Sequence, residues 1–286
     1  MFLQFVQTFI NGLTLGMLYV LIASGITLMF GIMHIVNFAH GVIFMLSAFS
    51  FLVLYKFLGI SFFLSLIITA VVIGIIGIFI GKICFQPFRG LLDKSFITSL
   101  GLILIFEASM LIIFGNFAYG VGSPIRGVVR FLGVSISWER IVVIIVSMVS
   151  MTGLFLFIKF HKLGQAMVAS AQDDVAAMLQ GIDLDKVSAI CMFIGCFLAG
   201  VAGVLIGAMF SIEPYMGGAY TVKCFMIVAL GGLGSLPGAV LGALLLGFLE
   251  AFGSLLTGAA IGPLIAFTIV ILFLLFRPRG LLGHAD

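Results

Sequence analysis

Charge is what this chain has least of. Asp, Glu, Lys and Arg make up only 8% of its 286 residues, against about a quarter in an ordinary soluble domain. So few cannot cover a soluble surface, so the outer surface must face lipid. Cysteine is scarce too. Cys84, Cys191, Cys196 and Cys224 all sit in apolar runs without metal-ligand spacing, and they read as small buried hydrophobes. No Gly-x-Ser-x-Gly elbow, His-Glu-x-x-His helix or paired-carboxylate cluster occurs, and the four His are scattered, with His284 in the tail. No catalytic or metal-ligating residue is expected. The nearest approach to a Walker A loop, Gly77 to Ile83, is one residue too short between its glycines. It also places Ile83 where Ser or Thr must meet magnesium. If ATP drives this protein, another chain binds it. The net charge of +3 is dispersed and carries no nucleic-acid signature. Residues Met1 to Gln7 lack a basic region, and the apolar run that follows has no cleavage site, so the first helix is expected to stay.

What the chain has in abundance is apolar length. Hydrophobic residues make up 63% and mean hydropathy is +1.41. Taking about 20 apolar residues per crossing, candidate spans run over Phe5–Phe30, Val42–Leu58, Phe62–Cys84, Phe96–Phe114, Ile141–Phe160, Val187–Phe210, Val222–Leu230, Ala239–Leu256 and Ile261–Phe276. The seventh is too short to cross alone and the ninth is marginal. The expectation is an all-α polytopic bundle of eight or nine spans forming one membrane domain over residues 1–286. Lys82, Arg89, Lys94, Lys159, Lys162, Lys186, Arg277 and Arg279 fall in one set of loops. The opposite set holds Lys56, Arg126, Arg130 and Arg140, with Lys223 beside a short outer loop. The richer set belongs in the cytoplasm. That puts the C-terminus inside and, with nine crossings, the N-terminus outside. A re-entrant Gly31–Gly41, or a seventh segment that does not cross, reverses the N-terminal side.

Several features interrupt the apolar pattern. Met29 to Gly41 holds two Gly, Asn37, His34 and His40 deep within apolar surroundings. Loosened backbone and polar side chains at that depth are costly unless protein or a water-lined path surrounds them. Ala229 to Gly242 contains Gly231, Gly232, Gly234, Ser235 and the Pro237-Gly238 pair, which break helices. Two such breaks resemble the discontinuous helices of transporters, although the second also fits a tight turn at the membrane face. The inner segment 163–181 is rich in Ala and Met and therefore helix-prone. Asp173 fits an N-cap and Gly181 a C′ position, with Val175, Met178 and Leu179 on one face. The residues alone leave docking onto another protein and resting on lipid headgroups equally open. Residues 115–139, outside, fit either a partner contact or a plain loop with an interfacial Trp138. Glu107 lies mid-span and must face the bundle interior, a pore or a cation, or be protonated. Glu250 lies nearer a helix end, and Glu213 and Lys223 flank an outer loop, solvated or paired. Gly12/Gly16, Gly77/Gly81, Gly203/Gly207 and Gly238/Gly242 each fit Gly-x-x-x-Gly, which lets helix backbones approach closely.

Taken together these segments resemble the LivH-type permease of branched-chain amino acid ABC importers. The resemblance runs nearly end to end. It is carried by Asn11-Gly12-Leu13 with Gly16 and Tyr19, Asn37-Phe38-Ala39-His40-Gly41, Thr98-Ser99-Leu100-Gly101, and Met216-Gly217 with Lys223. The block Gly231-Gly232-Leu233-Gly234-Ser235 with Pro237-Gly238-Ala239, and the close Arg277-Pro278-Arg279-Gly280-Leu281, complete it. It implies a bacterial inner-membrane subunit that pairs with a LivM-type permease, two cytoplasmic ATPase subunits and an extracytoplasmic substrate-binding protein. ATP and magnesium would sit on those ATPases. It also implies that Gln172, Asp173, Val175, Ala176, Met178, Leu179 and Gly181 form the coupling helix. Asn37, His40, Glu107, Gly231, Gly232, Gly234 and Ser235 are then candidates for the solute path or its gate. The chain departs from the family at Gln165 and Val168, where Arg is usual, at Glu107, where Gln is commoner, and at Cys224, where Ala is usual. Relatives with similar motifs carry urea, amides or other small solutes. The rival readings are a stand-alone channel or secondary transporter, with Glu107 as an ion site, and a scaffold that recruits soluble proteins through its inner helix.

Overall fold

The computed structural model describes residues 2–131 and 134–282; His284 lies outside them. Helices dominate: α1 (Phe2–Met33), α2 (His40–Leu52), α3 (Phe62–Ile80), α4 (Leu92–Phe114), α5 (Trp138–Phe160), α6 (Lys162–Gln172), α7 (Asp174–Leu179), α8 (Leu184–Met209), α9 (Met216–Gly231), α10 (Leu236–Thr257) and α11 (Gly262–Phe276). One turn of π-helix extends α2 over Val53–Phe57, and another extends α3 over Gly81–Phe85. Each of the nine expected spans appears as a helix. Seven are long and apolar enough to cross a membrane, while α9 and α11 are shorter. At about 1.5 Å per residue, the 16 residues of α9 reach roughly 24 Å, short of the ~30 Å hydrocarbon core. The chain is a multi-pass membrane protein.

Burial sorts the helices into inner and outer. In α1, 78% of the most apolar window is buried, and in α8, 72%. In α4 and α5 the figures are 11% and 17%. The first pair forms the bundle's centre, and the second presents apolar side chains such as Leu104, Ile112 and Val149 outward. α1 packs along α10 and α8, and α8 in turn against α3 and α2. All four Gly-x-x-x-Gly pairs lie where elements pack closely, three at these seams and one between α10 and α9. Gly12 and Gly16 meet Phe248 and Leu244 of α10, and Gly77 and Gly81 meet Cys196 and Met192 of α8. Gly203 meets Phe44 and Ser47 of α2, Gly207 meets Ile212 and Phe51, and Gly238 and Gly242 meet the last turn of α9. Cys191, Cys196 and Cys224 are buried and Cys84 is partly so, all as free thiols.

The segment 115–139 departs from the expected loop. Val128–Phe131 and Val134–Ser137 form an antiparallel pair, with Val128 opposite Ser137 and Phe131 opposite Val134. The run Val128-Val129 and the alternation Val134-Ser135-Ile136-Ser137 favour strand, but a pair this short is masked in sequence by the surrounding Gly and Arg. Tyr119 exchanges backbone hydrogen bonds with Ile212, each 2.9 Å, and Lys56 Nζ donates to Gly120 O at 2.7 Å. The segment is thus tied down over this end of the bundle. α6 and α7 cap the opposite end.

The seams predict a contrast between glycines. A Cβ on Gly41 would collide with Thr221 Oγ1 and Gly217 O of α9, whereas one on Gly153 meets open space. Gly41→Ala should destabilise by about 1–3 kcal/mol through overpacking. Gly153→Ala should be neutral or stabilising by up to about 1 kcal/mol through helix propensity. Thermal melts of the two variants in detergent, beside the parent chain, measure both.

Candidate translocation path and docking helix

The first break is the turn that joins α1 to α2. α1 stops at Met33, and His34 takes φ +52°, the only positive φ outside glycine among the described residues. That conformation costs roughly 1–2 kcal/mol for a residue with a Cβ, so the surroundings must enforce it. The chain then climbs back beside α1. A Cβ on Gly25 would lie 2.7 Å from His40 Nε2. Gly25 precedes Met33 by eight residues, about 12 Å of helix. α2 therefore begins inside the bundle, not at its edge. α9 clamps the turn: Thr221 Oγ1 donates to Phe38 O at 3.1 Å, and the Phe38 ring stacks on Phe225 at 4.0 Å.

Asn37 and His40 lie within this turn and are 1% and 0% exposed. Asn37 Nδ2 reaches only Met29 Sδ at 3.5 Å. Asn37 Oδ1 and both His40 ring nitrogens make no hydrogen bond of standard geometry. Each such orphaned group costs on the order of 1–3 kcal/mol, so stability does not account for these residue types.

The second break joins α9 to α10. Gly232 and Gly234 take φ +102° and +78°, a region open to glycine without strain. Ser235 caps α10, its Oγ accepting from Gly238 N at 3.2 Å, and Pro237 falls in the first turn. The carbonyls freed at the end of α9 are met by the C-terminal tail. Leu281 N donates to Leu230 O at 2.8 Å, and Leu282 N to Gly231 O at 3.0 Å. The Arg277–Leu281 stretch thus seals the break, a role its sequence does not show because the two segments lie far apart along the chain.

The two breaks touch. A Cβ on Gly31 would lie 3.4 Å from Gly234 O. Beside this contact is a cavity of about 350 Å³, lined by Thr27, Gly31, Phe155, Met167, Gln172 and Gly234 among others. Gln172 ends α6 and leads into α7. Asp173 Oδ1 accepts from the Val175 and Ala176 amides at 2.8 and 3.0 Å, and Gly181 takes φ +80° beyond the end. Both expected caps are present. Val175, Met178 and Leu179 are 62%, 51% and 82% exposed, and Ala176 is exposed beside them, while Ala177 turns inward. Arg89 fixes the helix, pairing with Asp174 at 3.1 Å and donating to Leu184 O at 3.3 Å. Next to it, Asp183 caps α8 and is held below the usual carboxylate range by the Lys186 side chain, then by the Lys186 amide.

Glu107 stands apart from the breaks. It is partly buried on α4, close to Gly218 in the first turn of α9. Glu250 lies in the C-terminal half of α10, as expected, but Lys223 departs from its expected place. Lys223 lies midway along α9, not beside an outer loop, and pairs with Glu250 of α10 at 3.0 Å. The Tyr19 hydroxyl donates to Glu250 Oε2 at 2.6 Å and accepts from Lys223 Nζ at 2.7 Å. Glu213 is exposed, and its carboxylate accepts from Ser211 Oγ. Three helices distant in sequence build this cluster, so no local pattern announces it.

A protein-family model described as branched-chain amino acid transport system / permease component matches residues 8–276. The chain belongs to this family. The high-affinity branched-chain amino acid transport system permease protein BraD of Pseudomonas aeruginosa is 35% identical over 99% of this chain and 97% of its own length. The LivH proteins of the corresponding system in Salmonella typhimurium and Escherichia coli K12 are 34% and 33% identical, each over 100% of this chain and 97% of theirs. These matches extend over nearly the whole chain, including both breaks and α7.

The polar cluster predicts an asymmetry within this permease. Lys223→Met leaves Glu250 buried without its partner and should cost about 3–5 kcal/mol, whereas joint replacement by Met and Leu should restore most of that loss. Melting temperatures of the single and double variants test it. An unpartnered variant as stable as the double one would contradict the reading. Asp173→Ala should fray α7, costing about 0.5–2 kcal/mol locally, visible as faster amide exchange confined to residues 174–179.

Proposed function

We propose that this chain is one membrane subunit of an ATP-driven importer that passes branched-chain amino acids delivered by an extracytoplasmic binding protein. The observation that carries the reading is the contact between Gly31 and Gly234 beside a cavity that reaches Gln172, in a chain of the permease family. It gives a physical route from a docking helix to two helix breaks. A second permease of LivM type completes the path, and separate ATPase subunits bind ATP and magnesium. Val175, Met178 and Leu179 insert into an ATPase groove in the helix-in-groove manner, flanked by Gln172, Asp173, Ala176 and Gly181. When the ATPases close, the push passes through α6 to the touching breaks.

Asn37 and His40 serve the path in another state of the cycle. Their orphaned polar atoms gain partners when the turn opens to a zwitterionic solute, with Glu107 and the backbone around Gly231, Gly232, Gly234 and Ser235 as further path or gate elements. The α7 end faces the bacterial cytoplasm, because Lys82, Arg89, Lys94, Lys159, Lys162, Lys186, Arg277 and Arg279 belong to the loops of that side. The C-terminus then lies on the cytoplasmic side of the bacterial inner membrane.

Two outcomes test this. Val175→Asp or Met178→Asp should abolish binding-protein-stimulated ATP hydrolysis in the reconstituted complex, because a buried charge spoils the docking face; retained stimulation would count against docking. His40→Ala or Asn37→Ala should lower leucine uptake severalfold or more while the complex assembles normally, and unchanged uptake would remove these residues from the path. Uptake of leucine measured against urea and simple amides identifies the solute class.

A further inference from the structure

Among the described residues three ion pairs form. Arg89–Asp174 and Lys186–Asp183 stand at the α7 end. Only Lys223–Glu250 joins two membrane helices, and its side chains are 17% and 5% exposed. An ion pair this deep is poor evidence of stability, because apolar residues of similar size commonly serve as well. Ionisable groups at such depth more often mark the solute's route.

We propose that the Lys223–Glu250 pair receives the two charged ends of a zwitterionic solute in transit, the solute carboxylate on Lys223 and its ammonium on Glu250. The proposal rests on the importer reading above. Its physical basis is charge conservation. With the pair closed, the site is neutral. With an α-amino acid between the two groups, one internal ion pair becomes two, and the site is neutral again. At no stage does a lone charge face the low-dielectric interior. An apolar substitute would lack this property, and so would a single charge.

The surroundings fit the exchange. The Tyr19 hydroxyl sits between both groups, 2.6 Å from Glu250 Oε2 and 2.7 Å from Lys223 Nζ, and can turn to either as the pair opens. The Tyr19 and Tyr220 rings lie 5.0 and 5.6 Å from Lys223 Nζ, close enough to hold the ammonium by its attraction to their faces. Lys223 is the more open partner, and its flexible stem lets the ammonium swing while Glu250 stays seated. Ala219 and Val222, exposed beside it on α9, offer apolar surface to an aliphatic side chain.

The test uses the complete complex in proteoliposomes and reads leucine imported per ATP hydrolysed. The joint variant Lys223→Met with Glu250→Leu should hydrolyse ATP yet import about tenfold less leucine per ATP, or worse, as loss of a paired charge contact implies. A purely structural tie would lower hydrolysis and import together, leaving the ratio unchanged, and that result overturns the proposal. If the joint variant does not assemble, Lys223→Arg and Glu250→Asp keep both charges and shift their spacing. A lowered ratio in either supports the proposal, and an unchanged ratio in both overturns it. Absence of leucine import by the parent complex would instead overturn the importer reading.

Discussion

Every backbone amide and carbonyl inside a bilayer must find its partner within the protein, because hydrocarbon offers none. This constraint shapes the molecule more than any single contact. Regular helices meet it without help. The two helix breaks meet it only through distant segments. Thr221 of α9 takes up the Phe38 carbonyl of the first break. The C-terminal tail takes up Leu230 and Gly231 of the second. α9, short and flanked by irregular backbone, is tied to both, so movement of either break cannot leave it untouched.

Tight packing is the second consequence. Between helices in lipid the hydrophobic effect does little, and close van der Waals approach takes its place. The glycine pairs along α1, α3, α8 and α10 allow that approach. Burial is greatest in α1 and α8 and least in α4 and α5 at the rim. A bundle built this way transmits displacement, since its helices have no slack to absorb it. A cavity of about 350 Å³ interrupts that packing between α6 and the touching breaks.

Much of this was legible residue by residue. The nine apolar runs, the caps at Asp173 and Gly181, the apolar face of α7 and both breaks follow from local chemistry, and each has its counterpart in the structure, although α9 begins six residues before the seventh run. Other features were not legible. The strand pair Val128–Phe131 and Val134–Ser137 was hidden because its strands are short and embedded in glycines and charges. Lys223 read as a loop residue because the run around it was short, and its partner lies 27 residues away. Asn37 and His40 were conspicuous as polar residues in an apolar run, yet the orphaning of Asn37 Oδ1 and of both His40 ring nitrogens emerged only from the packing around them.

The division has a physical reason. Composition, hydropathy and helix-breaking residues act over a few turns of chain, so the sequence by itself determined that the protein lives in lipid and, to within several residues, where its apolar helices run. Which helices touch depends on backbone approach across tens or hundreds of residues. Only the tertiary structure could therefore decide that Gly31 meets Gly234, that the tail closes the second break, and that Tyr19, Lys223 and Glu250 converge in the interior.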